Sequence, residues 1–269
     1  EPFFCYFPIT PPHGMYDIPK DDPAWELYKG EKWIDDPGIA QDVKNYAAMV
    51  TMVDRNVGQV LDLLEKLNLQ DDTIVFFTGD NGGQDRFRSK QHPRGYFGPN
   101  VNPRTGVEFR GGKGNLYEGG LRIPFIARWP GKIKAGSVSA AVSSTMDIYA
   151  TALNQAAIPL PKDRTLDSYD LTPVLTGTGT SGRKLLFYYR GYRLMAVRKG
   201  PWKMHLMTQN AYGQKDPVKH DPPQLYHLEH DPGENYELGK QHPEVITDLM
   251  QDIKKHQQAL KPAPSQLEL

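Results

Sequence analysis

The chain has 269 residues, a length for one or two domains, and its 38% apolar residues with 25 glycines are the make-up of a globular protein with a sizeable core. Lys+Arg and Asp+Glu balance at 32 each, so no global field draws the protein to nucleic acid or to an acidic membrane. No apolar run approaches the ~18 residues of a transmembrane helix, a single Cys excludes a disulfide framework or a cysteine-rich zinc site, and 23 prolines point to long, punctuated loops.

Glu1-Pro2 leads directly into Phe3-Phe4-Cys5-Tyr6-Phe7, which reads as an apolar strand with Cys5 buried in it. Natural termini are usually polar and frayed, so this opening reads as that of a truncated or processed chain; a mature N-terminus paired at a sheet edge is the alternative. The absence of any Asn-x-Ser/Thr triplet fits a bacterial origin. Pro8 to Gly38, dense in Pro, Gly, Asp and Trp, reads as a long surface loop. Val43, Tyr46, Val50, Val53, Val57, Val60, Leu64 and Leu67 then recur at steps of three and four, the spacing of an amphipathic helix that ends at Asn68 and Asp71-Asp72.

Thr73 to Thr78 is a β-branched and aromatic run, apolar on both faces, as expected of a strand inside a sheet covered by helices. A helix leading into such a strand is half of an α/β repeat. Gly79 to Arg122 reads as one long loop, and loops beyond about 15 residues are usually functional or disordered. A strand from Ile123 to Trp129 closes it, a short helix from Met146 to Ala157 follows, and Pro159 to Gly182 reads as a breaker-rich linker. Leu185–Arg190, Tyr192–Arg198, Trp202–Met207 and Leu225–Leu228 read as short strands with turns at Gly191 and Gly200-Pro201, the pattern of an antiparallel sheet, on which a helix from about Glu244 to Leu260 would pack. The expected architecture is α/β: a mostly parallel sheet flanked by helices over residues 1–182, then a small antiparallel domain with a terminal helix over 183–269.

Three segments carry candidate chemistry. In Thr78-Gly79-Asp80-Asn81-Gly82-Gly83, Asp80 and Asn81 sit at the carboxyl end of a strand, where ligand sites of open α/β sheets collect. A carboxylate beside an amide oxygen offers two hard ligands for Ca²⁺ or Mg²⁺, although Asp-Asn-Gly is equally good chemistry for a plain tight turn. In Arg110-Gly111-Gly112-Lys113-Gly114, continuing to Glu118-Gly119-Gly120, glycines surround Lys113, so the backbone can approach a ligand while the ammonium points at it. That is an oxyanion clamp or a flexible exposed loop, and it is not a Walker loop. His13, in Pro11-Pro12-His13-Gly14, is a lone histidine of the kind that is usually structural. If the first strand neighbours the Asp80 strand, His13 falls on the same sheet edge and can bond an anion or protonate a leaving group.

Together these segments resemble the C-terminal half of a type I sulfatase, nearest the arylsulfatase A-like branch. The resemblance rests on Phe3 to His13, Tyr46 to Asp54 with Val57-Gly58, Thr78 to Gly82, Arg110 to Gly114 with Glu118-Gly119-Gly120 and Arg122-Ile123-Pro124, and Leu225-Tyr226-His227-Leu228 with Asp231 to Asn235. It implies an alkaline-phosphatase-like fold, one Ca²⁺, and hydrolysis of sulfate esters by a formylglycine nucleophile. Asp80 and Asn81 would be metal ligands, Lys113 would bind a sulfate oxygen, and His13 would contact the sulfate and assist the leaving oxygen. His205, in Lys203-Met204-His205, matches a histidine of the substrate cleft, with a packed strand residue as the alternative.

Two parts of the family pattern are missing from these 269 residues. No Cys/Ser-x-Pro/Ala-x-Arg segment is present to become formylglycine, since Cys5 is followed by Tyr6-Phe7-Pro8-Ile9, and no apolar strand ends in Asp-Asp. The nucleophile and half of the metal ligands would therefore come from an N-terminal half outside this sequence. The alternatives are a non-catalytic, anion-binding remnant, and a phosphate-ester hydrolase of the same superfamily; the latter carries a His after the motif Asp and two zinc ions, where Asn81 here favours one hard cation. Arg86, Arg88, Lys90, Arg94, Arg104 and Arg110 against Asp85 and Glu108 would suit a polyanion such as a multiply sulfated glycan, with a solvated loop of scattered charge as the alternative, and a sulfated small molecule is the other expected partner. The resemblance also implies a periplasmic or extracellular place in a bacterium.

Overall fold

The computed structural model describes residues 2–84, 100–210 and 216–260. They form two compact units, one of residues 2–76 and 127–132, the other of residues 77–84, 100–126, 133–210 and 216–260.

In the first unit a 3-10 helix, Pro23–Tyr28, and the short helix α1, Lys32–Asp35, precede the long helix α2, Gln41–Lys66. The three-and-four spacing of apolar residues is this helix. Ala48 and Met49 of α2 share a small core with Ile18 and Ala24, against which Tyr16, Trp25, Tyr28 and Met52 pack. Polar clamps fasten the segment before the helix to it. Asp22 caps the 3-10 helix at Ala24 N–H (2.8 Å) and pairs with Arg55 (2.7 Å), Tyr28 donates its hydroxyl to Ala47 O (3.0 Å), and Asn45 Nδ2 donates to Tyr16 O (2.8 Å). The stretch from Pro8 to Gly38, expected as a surface loop, is thus partly laid along α2. Its breaker residues rule out long regular elements, but they leave Ile18, Ala24 and the aromatic residues free to bury apolar area.

Residues 2–10 form no strand. Phe3, Phe4, Tyr6 and Phe7 are all exposed, Phe4 to 80%, and Cys5 is exposed rather than buried. An apolar run becomes a strand only with a neighbour to complete its hydrogen-bond ladder, and among the described residues none pairs with this one.

Strand β1, Val75–Thr78, pairs with β2, Phe125–Arg128, in a two-stranded sheet, and the one-turn helix α3, Glu118–Leu121, precedes β2. Of the mostly parallel sheet expected over residues 1–182, the described residues show this two-stranded pair, and with so few neighbours β1 is half-buried instead of enclosed. Helix α4, Asp147–Gln155, and the short α5, Thr172–Leu175, come next. The linker expected at 159–182 is anchored by Arg183, whose guanidinium meets Asp147 at 2.6 Å and Asp167 at 2.7 Å, with the Arg183 and Asp147 side chains fully buried. The Asp147 carboxylate also accepts the N–H groups of Ser144 (2.8 Å) and Tyr169 (2.9 Å), so the buried charge is fully bonded.

The remaining sheet is an antiparallel meander in the order β3 (Leu185–Arg190), β4 (Arg193–Lys199), β5 (Trp202–Thr208), β6 (Val218–His227). The first two hairpins pair Arg190 with Arg193 and Lys199 with Trp202, so each turn has two central residues. The first of each is a glycine at positive φ, Gly191 (57°) and Gly200 (55°), the conformation tight hairpin turns require. Strand β6 starts at Val218 and not at Leu225; Pro222-Pro223 disguised its first half, since proline cannot donate to a ladder. Helix α6, Pro243–Ala259, covers one face of the sheet, its Leu249 and Ile253 sharing a core with Leu194, Val197, Met204 and Leu225. Successive side chains of a strand point to opposite faces. On β5, Trp202, Met204 and Leu206 belong to this core, and Lys203 and His205 therefore point to the other face.

Candidate cation and anion site

Asp80 and Asn81 follow the end of β1, where the Gly79 N–H donates to Pro124 O at 3.3 Å. The next two residues attach this turn to the lysine loop. Gly82 donates its N–H to Gly120 O (2.9 Å), and Lys113 donates its N–H to Gly83 O (2.9 Å). Asn100 Nδ2 reaches both Gly83 O (2.9 Å) and Gly119 O (3.1 Å), and Gly119 N–H closes on Arg110 O (2.9 Å). Side chains are excluded from this contact: a Cβ at Gly82 would overlap the Gly119 carbonyl, one at Gly119 the Gly111 carbonyl, and one at Gly120 the carbonyls of Gly112 and Asn115. The glycines are there so that two backbones can dock directly on each other.

The donor set suits a hard cation. Asp80 is exposed, and Asn81, the next residue, turns its Nδ2 to Gly82 O (3.0 Å). Two neighbouring oxygen donors match Ca²⁺ or Mg²⁺ in kind and offer none of the sulfur or imidazole ligands typical of zinc. Among the described residues no three His, Cys, Asp or Glu side chains converge on one point. Lys113 is half-buried between Gly112 and Gly114. Close by in sequence, Asn115 is 3% exposed with an Nδ2 that has no acceptor among the described residues, a donor that an anion could satisfy.

Asp80, Asn81 and Lys113 therefore lie on two docked loops of one unit. His13 belongs to the other unit, exposed, with its backbone N–H on Thr10 O at 3.0 Å. Asp85, Arg86, Arg88, Lys90 and Arg94 lie outside the described residues, while Arg110 stacks on Tyr117 with its guanidinium 4.2 Å from the ring centre.

His205 has a different setting from an open cleft. It is 1% exposed, and its Nε2 is hydrogen-bonded to Glu234 Oε1 at 2.6 Å. Burial lowers its pKa and outweighs the raising effect of the Glu234 carboxylate, with Lys203 adding to the lowering, so the ring is held neutral. One face of the imidazole lies near Tyr117, centroids 4.9 Å apart.

Around it is a buried ionic cluster that sequence reading missed. Lys203 Nζ lies 3.0 Å from Glu118 Oε1 and 3.2 Å from Glu234 Oε1, all three side chains being at most 4% exposed. Glu118 also takes Arg122 Nε at 3.0 Å. Burial opposes the Glu118 charge, but Lys203, Arg122 and Arg198 outweigh it and hold its pKa below the ordinary carboxylate value. The available signal was the alternation of Trp202-Lys203-Met204-His205-Leu206, which places two polar residues on one face of a strand. Ordinarily that face is wet; here it is enclosed, with Glu118 and Glu234, both distant in sequence, as its partners.

The Sulfatase family pattern matches residues 1–158, and that of the C-terminal region of aryl-sulfatase matches residues 181–269. N-acetylgalactosamine-6-sulfatase of Canis lupus familiaris is 32% identical over 99% of the chain, which spans 50% of that relative. Arylsulfatase A of Homo sapiens is 37% identical over 69% of the chain and 37% of its own length. Among solved structures, the PsFucS1 sulfatase from Pseudoalteromonas sp. superposes with a TM-score of 0.66 at 26% identity, covering 79% of this chain and 42% of that one. The chain thus spans about half the length of the curated relatives it matches, and its α/β architecture is that of the alkaline-phosphatase-like sulfatase fold. On the family match over more than half its length, the chain belongs to the sulfatase family.

Proposed function

We propose that this chain contributes part of the metal site and the sulfate-binding lysine of a sulfuric ester hydrolase. The observation that carries the reading is the docking of the Asp80-Asn81 turn on the Lys113 loop through Gly82–Gly120 and Lys113–Gly83. Only glycines permit that approach, and it gathers two hard oxygen donors and a cation on one pair of loops. Asp80 and Asn81 would hold one Ca²⁺, which when bound offsets the charge of a sulfate group. Lys113 would bind a sulfate oxygen as a point charge. His13 would hydrogen-bond the ester and protonate the departing alcohol oxygen. His205, enclosed and bonded to Glu234, is assigned to the support of the loop instead of the substrate.

The attacking group is not among these residues. A formylglycine made from Cys/Ser-x-Pro/Ala-x-Arg would have to come from outside this sequence, in an N-terminal half that also supplies the missing metal ligands. In this reading residues 1–182 are the C-terminal part of the catalytic α/β domain, and residues 183–269 its small antiparallel companion. The substrate would be a sulfated glycan or a small sulfate monoester, a reading supported by similarity to an N-acetylgalactosamine-6-sulfatase and an arylsulfatase, and the place would be the periplasm or the cell exterior of a bacterium. Among the described residues no helix is long and apolar enough to cross a membrane.

The test is the coding sequence upstream of the Glu1 codon. A frame carrying an Asp-Asp strand and Cys/Ser-x-Pro/Ala-x-Arg supports the proposal. A start codon or unrelated sequence there overturns it and leaves an anion-binding remnant.

A further inference from the structure

The cluster beneath the lysine loop is a closed ring. Lys203 Nζ bridges Glu118 Oε1 (3.0 Å) and Glu234 Oε1 (3.2 Å), and Glu234 Oε2 returns to Glu118 by accepting its backbone N–H at 2.6 Å. Arg110 adds a bond to the Glu234 carbonyl (3.2 Å), and the Lys203 ammonium lies 5.2 Å from the centre of the Tyr188 ring. Glu118 is therefore gripped at its main chain and its side chain by two residues of the C-terminal region. It is also the residue directly before Gly119 and Gly120, whose carbonyls receive Asn100 Nδ2 and the Gly82 N–H. Enclosing two carboxylates and a cation is costly in solvation, and an apolar cluster would fill the same space at lower cost, so stability alone accounts poorly for the ring.

We propose that Lys203 and Glu234 are positioning residues: by fixing Glu118 they hold the Lys113 loop and the Asp80–Gly83 turn in register, so that the C-terminal sheet sets the geometry of the candidate site. Its meaning for sulfate rests on the reading of Lys113 given above; the geometric claim does not. Without the Lys203 charge, Glu118 and Glu234 face each other across an enclosed space with no cation between them. The Glu118 side chain then turns away or takes up a proton, and Gly119-Gly120 shift with it.

Amide hydrogen exchange on the 269-residue chain tests this. In Lys203→Met the amides of Gly82, Lys113, Gly119 and Gly120 should exchange at least tenfold faster, with those of β4 and β5 within twofold of wild type. Unchanged loop protection overturns the proposal, and so does equal acceleration in loop and sheet. Should Lys203→Met not fold, Glu118→Gln decides, because it leaves β5 and the Lys203–Glu234 pair in place; the same loop-selective acceleration is expected, and its absence overturns the proposal. Inorganic sulfate, followed at the Lys113 amide resonance, supplies a readout that a purely structural role would not move: folded variants should bind it at least tenfold more weakly. A wild-type Lys113 amide that ignores sulfate defeats the reading of Lys113 as an anion ligand, while the exchange rates still judge the positioning claim.

Discussion

Lys113 and Gly83 are joined main chain to main chain, the Lys113 N–H on the Gly83 carbonyl at 2.9 Å. The candidate sulfate lysine is therefore coupled to the candidate metal turn by backbone, without any intervening side chain that could change rotamer. A site built this way is fixed by what the glycines leave out.

Gly82→Ala follows directly. Its Cβ would occupy the position of the Gly119 carbonyl, so the two loops must separate. Urea denaturation should show a loss of about 1–3 kcal/mol, the usual cost of overpacking. Gly58→Ala is the matched control: it lies inside α2 with nothing within 4 Å of the new Cβ, and it should stabilise by up to about 1 kcal/mol.

If Asp80 and Asn81 supply part of a calcium site, as proposed, calcium binding by the chain alone should be weak, since among the described residues no three His, Cys, Asp or Glu side chains converge on one point. Calorimetric titration is expected to give a Kd of about 10⁻⁴–10⁻³ M, in the range of weak, poorly caged sites. Asp80→Ala should weaken it roughly tenfold or more, since it removes the one charged ligand of the pair. Binding that survives Asp80→Ala unchanged would place the ion elsewhere.

His205 contributes to the pH dependence of folding. Its folded pKa lies below the ordinary value of about 6.5, so under acid the unfolded chain takes up a proton that the folded chain refuses. The contribution is complete above about pH 6.5 and is lost as pH falls, with a slope of up to about 1.4 kcal/mol per pH unit. His205→Gln should flatten the stability profile between about pH 5 and 6.5 by that amount. His220 and His256, also lowered by burial, would account for the slope that remains.

How much was legible in advance depended on range. Helix α2 and the three hairpin strands β3 to β5 follow from local periodicity and from glycines at turn positions, and both appear in the structure nearly as read. Where local pattern needs a distant partner, reading failed. Phe3 to Phe7 has the composition of a strand but no ladder among the described residues, and Cys5 is exposed with it. Pro159 to Gly182 reads as a linker until Arg183 is seen buried against Asp147. The candidate site divides in the same way. Asp80, Asn81 and Lys113 stand out because glycines mark them, whereas Lys203, Glu118 and Glu234 look like surface charges until the fold encloses them together.

The most direct test is the hydrolysis of an aryl sulfate by the complete product of the gene, compared with its Lys113→Ala variant. If Lys113 binds the sulfate in the transition state, kcat/KM should fall at least a hundredfold, about 2.7 kcal/mol of lost stabilisation, while the thermal unfolding midpoint stays in place. A variant that turns over like the wild type, or a complete product with no sulfatase activity, would contradict the account.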